Sequence, residues 1–439
     1  MKFKIALLIG KILHFIGKPF GKSTNLPGEI ALKFCPDLFS KFKFSGKILA
    51  VTGSNGKTTT ANTVAHILSE CGYSVINNAK GSNLTGGVAT TLITNSNFGG
   101  FVSSDFVVLE VDERYSRLIF KDFSPDYMLV TNLFRDQLTR NGNVDVIVSK
   151  LTEAIKPKTK LVLNANDPIS SLLAPENERV YYFMDKTAES AEKSVNITHD
   201  AKVCPKCFGK MKYDYFHYNH IGAFKCENCG YTNAAAKYVC NNVDFESGVF
   251  EVNGVKTQTQ YKSVFNFLNV TAAVALCCEA GLSIEDATKG ASSFIVSRQR
   301  FDEFTFGDRK AVMILSKNQN PVSFDQSVSY LLSQEGEKTV IVYVNNINHT
   351  HQKDTTWLYD ISFERLKSNI SSLVCTGPRA YDLAVRLKLS DFDMKYVQVE
   401  PELSKLKKVV DKTEGTVYIL TELYDAQAIL SVISGGHEK

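Results

Sequence analysis

The sequence predicts an α/β protein: a parallel sheet with a phosphate-binding P-loop, a four-cysteine zinc ribbon inserted in it, and a second Rossmann-like α/β domain. Three observations predict it. KILAVTGSNGKTTTAN (47–62) joins an apolar strand, a Gly-bounded turn, Lys-Thr and a helical run. Apolar strand-like runs then alternate with helical stretches, which indicates parallel strands covered on both faces. Two Cys-x-x-Cys pairs, 204–207 and 226–229, break that alternation.

In the loop, backbone N–H groups at the helix start would point at an anion. Lys57 adds a point charge, and the Thr58 hydroxyl can ligate Mg²⁺. Gly53, Asn55, Gly56, Lys57, Thr58 and Thr59 are therefore the expected nucleotide-binding residues, and the ligand class is a nucleoside triphosphate. The plainer alternative is an ordinary Gly-rich turn, and it leaves the full set of Gly, Gly-Lys and Thr unexplained.

The chain has 439 residues, room for roughly three domains. Its 44% hydrophobic and 22% charged residues are ordinary for a globular protein. A net charge of +4 with no Lys/Arg block of footprint size argues against nucleic acid. Of ten cysteines, four sit in the two pairs and the rest are scattered. That fits a reducing compartment, the cytoplasm, with one metal site better than a secreted disulfide scaffold.

The first segment, 1–44, reads as helical. MKFKIALLIGKILHFIGKPFGK imitates a signal peptide, but Lys11 interrupts the apolar run and no small-residue cleavage site follows. The run is too short to span a bilayer. It could lie at an anionic membrane face, the inner one, or pack on the next domain; packing with some membrane affinity is the expectation.

The nucleotide domain is expected over 45–300. YSVINN (73–78), FVVLEVDE (106–113) and KLVLNANDP (160–168) read as its strands, DYMLVTNLFRDQLTRNG (126–142) as a strand followed by a polar loop, and KGSNLTGG (80–87) as a second Gly-rich turn. Glu110, Asp112 and Glu113 end one strand, and Asp136 and Asp167 follow two others. Ligands in such sheets sit beyond the carboxyl ends of the strands, where these groups fall. The insertion, about 202–232, places eighteen residues between its cysteine pairs. Cys204, Cys207, Cys226 and Cys229 suit a tetrahedral structural Zn²⁺ with no open position. His217 and His220 are competing donors that a complete thiol set does not need. SVFNFLNVTAAVALCCEAGLS (263–283) reads as an amphipathic helix, with Asn266 and Asn269 near its start and Cys277 and Cys278 in the core. A last domain, 301–439, alternates again through AVMILSK (311–317), TVIVYVN (339–345), SLVCTG (372–377) and TVYILTE (416–422).

TGSNGKTTT (52–60), the Glu of VLEVDE, TNLFRDQ, FNFLN and SRQR together resemble the central domain of the Mur ligase family. The cysteine ribbon, WLYD (357–360), LPGEIALK (26–33), GSNLTGG (81–87) and FRDQL (134–138) resemble its MurT branch, and the likeness covers essentially the whole chain. The resemblance implies ATP-dependent amidation in peptidoglycan synthesis. The α-carboxylate of D-glutamate in the lipid II stem peptide becomes an acyl phosphate, and ammonia from a GatD-type glutaminase partner converts it to D-isoglutamine. It also implies Thr58 and Glu110 as Mg²⁺ ligands, Asn266 on adenine and Arg298 on ribose or phosphates. Glu110 as a helix cap and Asn266 as a helix N-cap are the structural alternatives. Asp354 is implied as the acid that completes the partner's Cys-His-Asp triad, with Asp360 as runner-up. Its alternative is a cap on the short helix from Thr355.

Some residues depart from the family pattern. NNINHTHQKD (345–354) places His349 and His351 where small or acidic residues are usual, SKNQNPVSF (316–324) matches the expected turn loosely, and Ser297 stands for Gly. Gln137 stands where amino-acid-adding ligases carry His, which favours amidation. Two rival functions follow: a ligase adding an amino acid, whose carboxylate Arg365, Arg379 or Arg386 would hold, and a non-catalytic nucleotide-binding scaffold.

Overall fold

A strand covered on both faces has no polar side, and the strands around the phosphate loop read that way. The structure, a computed structural model, describes residues 1–78, 82–136, 142–295, 301–317, 319–345, 354–367 and 370–433. The chain divides into two units. The first comprises Met1–Leu133, Val144–Lys193 and Ala201–Val296; the second comprises Phe134–Asn143, Ser194–Asp200 and Ser297–Lys439.

The strands of the first unit are, in chain order, β1 (Lys43–Phe44), β2 (Lys47–Thr52), β3 (Val75–Asn77), β4 (Phe101–Val102), β5 (Phe106–Glu110), β6 (Tyr127–Val130) and β7 (Lys160–Asn164). Then come β8 (Arg179–Met184), β9 (Met211–Tyr218), β10 (Ile221–Cys226), β11 (Tyr238–Asn241), β12 (Val249–Val252) and β13 (Val255–Gln258). Nine of them form one sheet in the order β13-β12-β11-β8-β7-β6-β2-β5-β3. It is parallel from β3 through β11, with β12 and β13 added antiparallel. Every residue of β5 is buried, and in β2 only Lys47 is exposed.

Register places the site. Val51 of β2 pairs with Glu110 of β5, and Thr52 pairs with Val130 of β6. The loop after β2 is thus flanked by a carboxylate on one side and by Thr131-Asn132 on the other. The strand expected over 106–113 stops at Glu110. Beyond it the Asp112 carboxylate accepts the N–H of Arg114 at 3.0 Å and turns the chain.

Helices α1 (Lys2–Gly17), α2 (Leu26–Phe34), α3 (Lys57–Glu70) and α4 (Thr85–Thr94) follow in order. The first segment packs into the first unit. Gly28 donates its N–H to Thr90 Oγ1 at 2.8 Å, and a Cβ on Gly28 would lie 2.0 Å from Gly86 O, so only glycine allows α2 this close to α4. Among the described residues no helix is long and apolar enough to cross a membrane.

The helix expected to be amphipathic is Val264–Ala280, and it is buried on nearly every side, Asn266, Thr271 and Cys277 included. A helix so enclosed needs no polar face. Cys277 is a core residue, as expected, whereas Cys278 is partly exposed.

In the second unit, β14 (Phe301–Phe306), β15 (Arg309–Ser316), β16 (Lys338–Tyr343), β17 (Ser372–Thr376), β18 (Val397–Glu400) and β19 (Thr416–Glu422) form a sheet ordered β14-β15-β19-β16-β17-β18. All pairs are parallel except β14 with β15. Alternate residues feed two separate cores, one around Phe324, Trp357 and Phe363 and one around Met313, Ile341 and Ile419.

Candidate active site and cysteine cluster

The loop between β2 and α3 is held open by two glycines in left-handed backbone. Gly53 has φ +129° and Gly56 φ +84°. A Cβ at Gly53 would meet Thr131 Oγ1 at 2.2 Å, and one at Gly56 would meet Asn269 Oδ1 at 2.2 Å. Sterics and φ both require glycine there. The end of β6 pins the loop. Ser54 N–H donates to Asn132 O at 2.8 Å, Asn55 N–H to Asn132 Oδ1 at 2.9 Å, and Thr131 Oγ1 to Asn55 O at 2.6 Å. The side-chain atoms Nδ2 and Oδ1 of Asn55 are buried without a hydrogen-bond partner, an arrangement a bound ligand would complete.

Lys57, the first residue of α3, is buried. Its ammonium donates to Glu113 Oε1 at 2.8 Å and to Gly53 O. Burial works against its charge, but the carboxylates of Glu113, Asp112 and Glu110 outweigh that and hold its pKa above the ordinary lysine value. Beside it Thr58 Oγ1 donates to Glu110 Oε1 at 3.0 Å, and Asn83 Nδ2 donates to the same oxygen at 2.8 Å. Asn78 holds the Glu110 backbone from both sides, N–H to Oδ1 and Nδ2 to O, each at 2.8 Å. A hydroxyl and a carboxylate oxygen meet at a helix N-terminus, a donor pair of the hard kind that suits Mg²⁺.

Asn266 does not cap its helix. Ser263 occupies the N-cap, and buried Asn266 donates to Thr259 Oγ1 from within the first turn. Asn269, one turn on, packs against Gly56. Arg298 lies outside the described residues, as do Lys80, Gly81, Gln137, Ser297, Arg300, His349 and His351.

In the second unit the Asp354 carboxylate accepts the backbone N–H of Thr356 at 2.8 Å and its hydroxyl at 2.7 Å. It thus closes a turn onto the first residue of the short helix Thr356–Asp360, whose N-cap is Thr355, and it is partly exposed. Asp360 stands 3.7 Å from the Arg135 guanidinium, which also binds Asp200 at 2.5 Å, and burial raises the Asp360 pKa. Asp136 pairs with Lys317 and accepts from Asn320 Nδ2 at 3.0 Å. Arg386 is committed internally: it donates to Leu358 O at 3.1 Å and Ile361 O at 2.8 Å and pairs with Glu364 at 2.9 Å. It braces the segment around Trp357, which leaves it unsuited to hold a substrate carboxylate.

The four cysteines of the insertion converge. All four Sγ atoms lie within 4.8 Å of one another, with Cys204–Cys229 at 3.8 Å and Cys207–Cys226 at 3.5 Å. A tetrahedron with metal–sulfur bonds of about 2.3 Å has sulfurs roughly 3.8 Å apart, so the thiols are spaced for a soft tetrahedral ion. Each knuckle turns at the residue after its second cysteine, Phe208 at φ +59° and Gly230 at φ +71°. A Cβ at Gly209 would lie 3.3 Å from two of the sulfurs, so glycine gives that approach. The Gly209 N–H and its neighbours lower the Cys207 pKa to about 6, while burial pushes Cys204 up to about 12. A cation would reverse the second effect by stabilising the thiolate. Neither histidine joins the group. His217 Nε2 contacts Met184 O at 3.0 Å, and His220 Nε2 contacts Asp167 at 3.3 Å.

Sequence reasoning missed Glu113 as the partner of Lys57 and the asparagines 78, 83 and 132 as supports. The carboxylate triplet 110–113 and the GSNLTGG turn were the available signals.

Comparison with known proteins gives the family of the chain. The Mur ligase middle domain family matches residues 51–277, and the MurT ligase C-terminal family matches residues 315–426. The chain is 33% identical over 421 residues to the lipid II isoglutaminyl synthase (glutamine-hydrolyzing) subunit MurT of Staphylococcus aureus strain COL, covering 94% of this chain and 93% of that one. The chain belongs to the MurT family. The MurT subunit of Streptococcus pneumoniae is 27% identical over the same share of both chains. Solved Mur ligases have the same fold. A pseudomurein peptide ligase type C from Methanothermus fervidus superposes with a TM-score of 0.66 at 19% identity, covering 91% of this chain and 81% of that one. MurF from Thermotoga maritima, solved in complex with ADP, gives 0.58 at 16% identity over 93% and 84%.

Proposed function

We propose that this chain is the synthetase subunit of a lipid II isoglutaminyl synthase. In the cytoplasm it spends ATP to amidate the α-carboxylate of D-glutamate in the lipid II stem peptide, with ammonia from a GatD-type glutaminase bound as a heterodimer. One observation carries the reading: Lys57 on Glu113 and, beside it, Thr58 on Glu110 start the helix after the β2 loop, in a chain whose C-terminal region matches the MurT family. The relatives' printed name, with its glutamine-hydrolyzing activity, supports the nitrogen source.

A carboxylate is a poor electrophile, and phosphorylation gives it phosphate as a leaving group. The residues serve that transfer. Loop N–H groups and α3 receive the phosphates, and Lys57 neutralises charge as the γ-phosphoryl moves. Thr58 and Glu110 would hold Mg²⁺, which when bound supplies further neutralisation there. Asn266 would contact adenine and Arg298 the ribose or phosphates. The cysteine ribbon would hold structural Zn²⁺, since four thiols leave no position for substrate.

Asp354 would reach the partner and orient the glutaminase histidine. The test separates nitrogen sources. Asp354→Asn keeps an oxygen to accept the N–H of Thr356 and so keeps that turn. It is expected to lose glutamine-driven amidation by on the order of 10²–10⁴-fold while retaining amidation with added ammonium. Equal loss with both sources would assign Asp354 to the synthetase site or the fold. Product formed only with a free amino acid would contradict the amidation reading.

A further inference from the structure

Helix α1 is apolar on two opposite faces, and only one is covered. Ala6, Leu7 and Gly10 are buried, with Gly10 tight against Ile93 of α4. The opposite face exposes Ile5 (46%), Leu8 (47%), Ile12 (48%), Phe15 (75%) and Ile16 (55%), and Phe20 beyond the helix end is 72% exposed. At 100° per residue these five helix positions fall within one arc of about 100°. On the same wheel Lys4, Lys11 and Lys18 border that arc on one side and Lys2 on the other. Lys2, Lys4, Lys18 and Lys22 are exposed, and Lys11 is spent on Ser96 O at 2.7 Å. No carboxylate occurs before Glu29.

We propose that this face of α1 docks the protein on an anionic lipid bilayer. The helix would lie in the interface, with the aliphatic arc and Phe15 among the acyl chains and the lysines on the headgroups. Two features choose a bilayer over a protein. The exposed arc is a continuous apolar stripe without a hydrogen-bonding group, and its border is of a single charge sign, the pattern of an in-plane interfacial helix. A protein groove of comparable specificity would be expected to meet polar anchors or mixed charge. The helix is not of spanning type, so binding is peripheral and reversible.

The test uses the full chain with its glutaminase partner and vesicles of phosphatidylcholine, with or without three-tenths phosphatidylglycerol. Wild type is expected to co-sediment with the anionic vesicles and to be released by salt, and to bind the neutral ones at least tenfold more weakly. Ile12→Asp/Phe15→Asp, at side chains already exposed, should cut anionic-vesicle binding at least tenfold without moving the melting temperature. Lys2→Gln/Lys4→Gln should cut it severalfold and flatten the salt dependence. Wild type that fails to sediment, or variants that sediment like it, would overturn the proposal. So would loss of the glutaminase from the variants with vesicle binding intact, because the face would then be a protein interface. A second arm rests on the amidation reading: the Asp variant should keep its rate on a soluble short-chain acceptor and lose it on acceptor embedded in vesicles. Equal rates on the embedded acceptor would also count against docking. Wild type that binds vesicles yet amidates neither acceptor would refute the reaction and leave docking standing.

Discussion

Lys57→Met lowers acceptor-dependent ATP turnover by about 10²–10³-fold, the usual cost of removing one preorganised charge from a transferring phosphoryl group. The same change has a second effect that must be separated from the first. Lys57 and Glu113 are both buried and face each other at 2.8 Å. Removing only the cation deprives this buried carboxylate of the ammonium at 2.8 Å, which costs roughly 3–5 kcal/mol. Lys57→Met alone is therefore expected to lose both stability and activity. Adding Glu113→Gln should restore most of the stability, since a neutral amide can occupy that position, but none of the activity. Urea denaturation and phosphate release on the two variants check this. Activity that returns together with stability would mean that Lys57 matters only as half of a buried ion pair.

Loss of the zinc proposed for the cysteine cluster is expected to be the second large effect. The ribbon core has little apolar substance of its own: Met211 and Phe224 are buried beside Cys204 and Cys226, with Tyr213 and Tyr231 packed around them. Structural zinc is worth about 10–16 kcal/mol in small cysteine-ligated peptides, far more than such a core supplies. Elemental analysis should find about one zinc per chain. Cys204→Ser should carry much less, and its hairpin β9–β10 should exchange amide hydrogens faster. Folding yield is expected to fall more than specific activity, because four thiols holding one ion would leave no place for substrate. Wild type free of metal, or an intact hairpin in the serine variant, would contradict the structural role.

What the sequence made legible follows from which interactions are local. The loop after β2 could be read because an apolar strand, two glycines, Lys-Thr and a helix lie within sixteen residues (47–62). The cysteine cluster was equally legible, since ligand spacing is set by the knuckle itself. Strand β8 was not read; it lies between β7 and, across the cysteine-bearing insertion, β11, where Tyr182 sits beside Tyr238. Strand β13 has only one buried position in four and carries no apolar run to find. Glu113 lies beyond a strand end, and its meeting with Lys57 depends on the turn that Asp112 starts, which no period in the sequence announces. Segments 134–143 and 194–200 sit in the middle of the chain and belong to the second unit, held there by pairs such as Arg135–Asp200 and Asp136–Lys317. Such long-range ion pairs leave no mark on either segment alone.

The reaction itself can be followed through its oxygen atoms. If the stem-peptide carboxylate is activated by a phosphoryl group before nitrogen arrives, acceptor labelled with ¹⁸O in its α-carboxyl should pass one labelled oxygen to the inorganic phosphate released during amidation. Mass spectrometry of that phosphate gives the answer. Label in the phosphate is the predicted result; label held entirely in the amidated product and the unreacted acceptor would contradict activation by phosphoryl transfer.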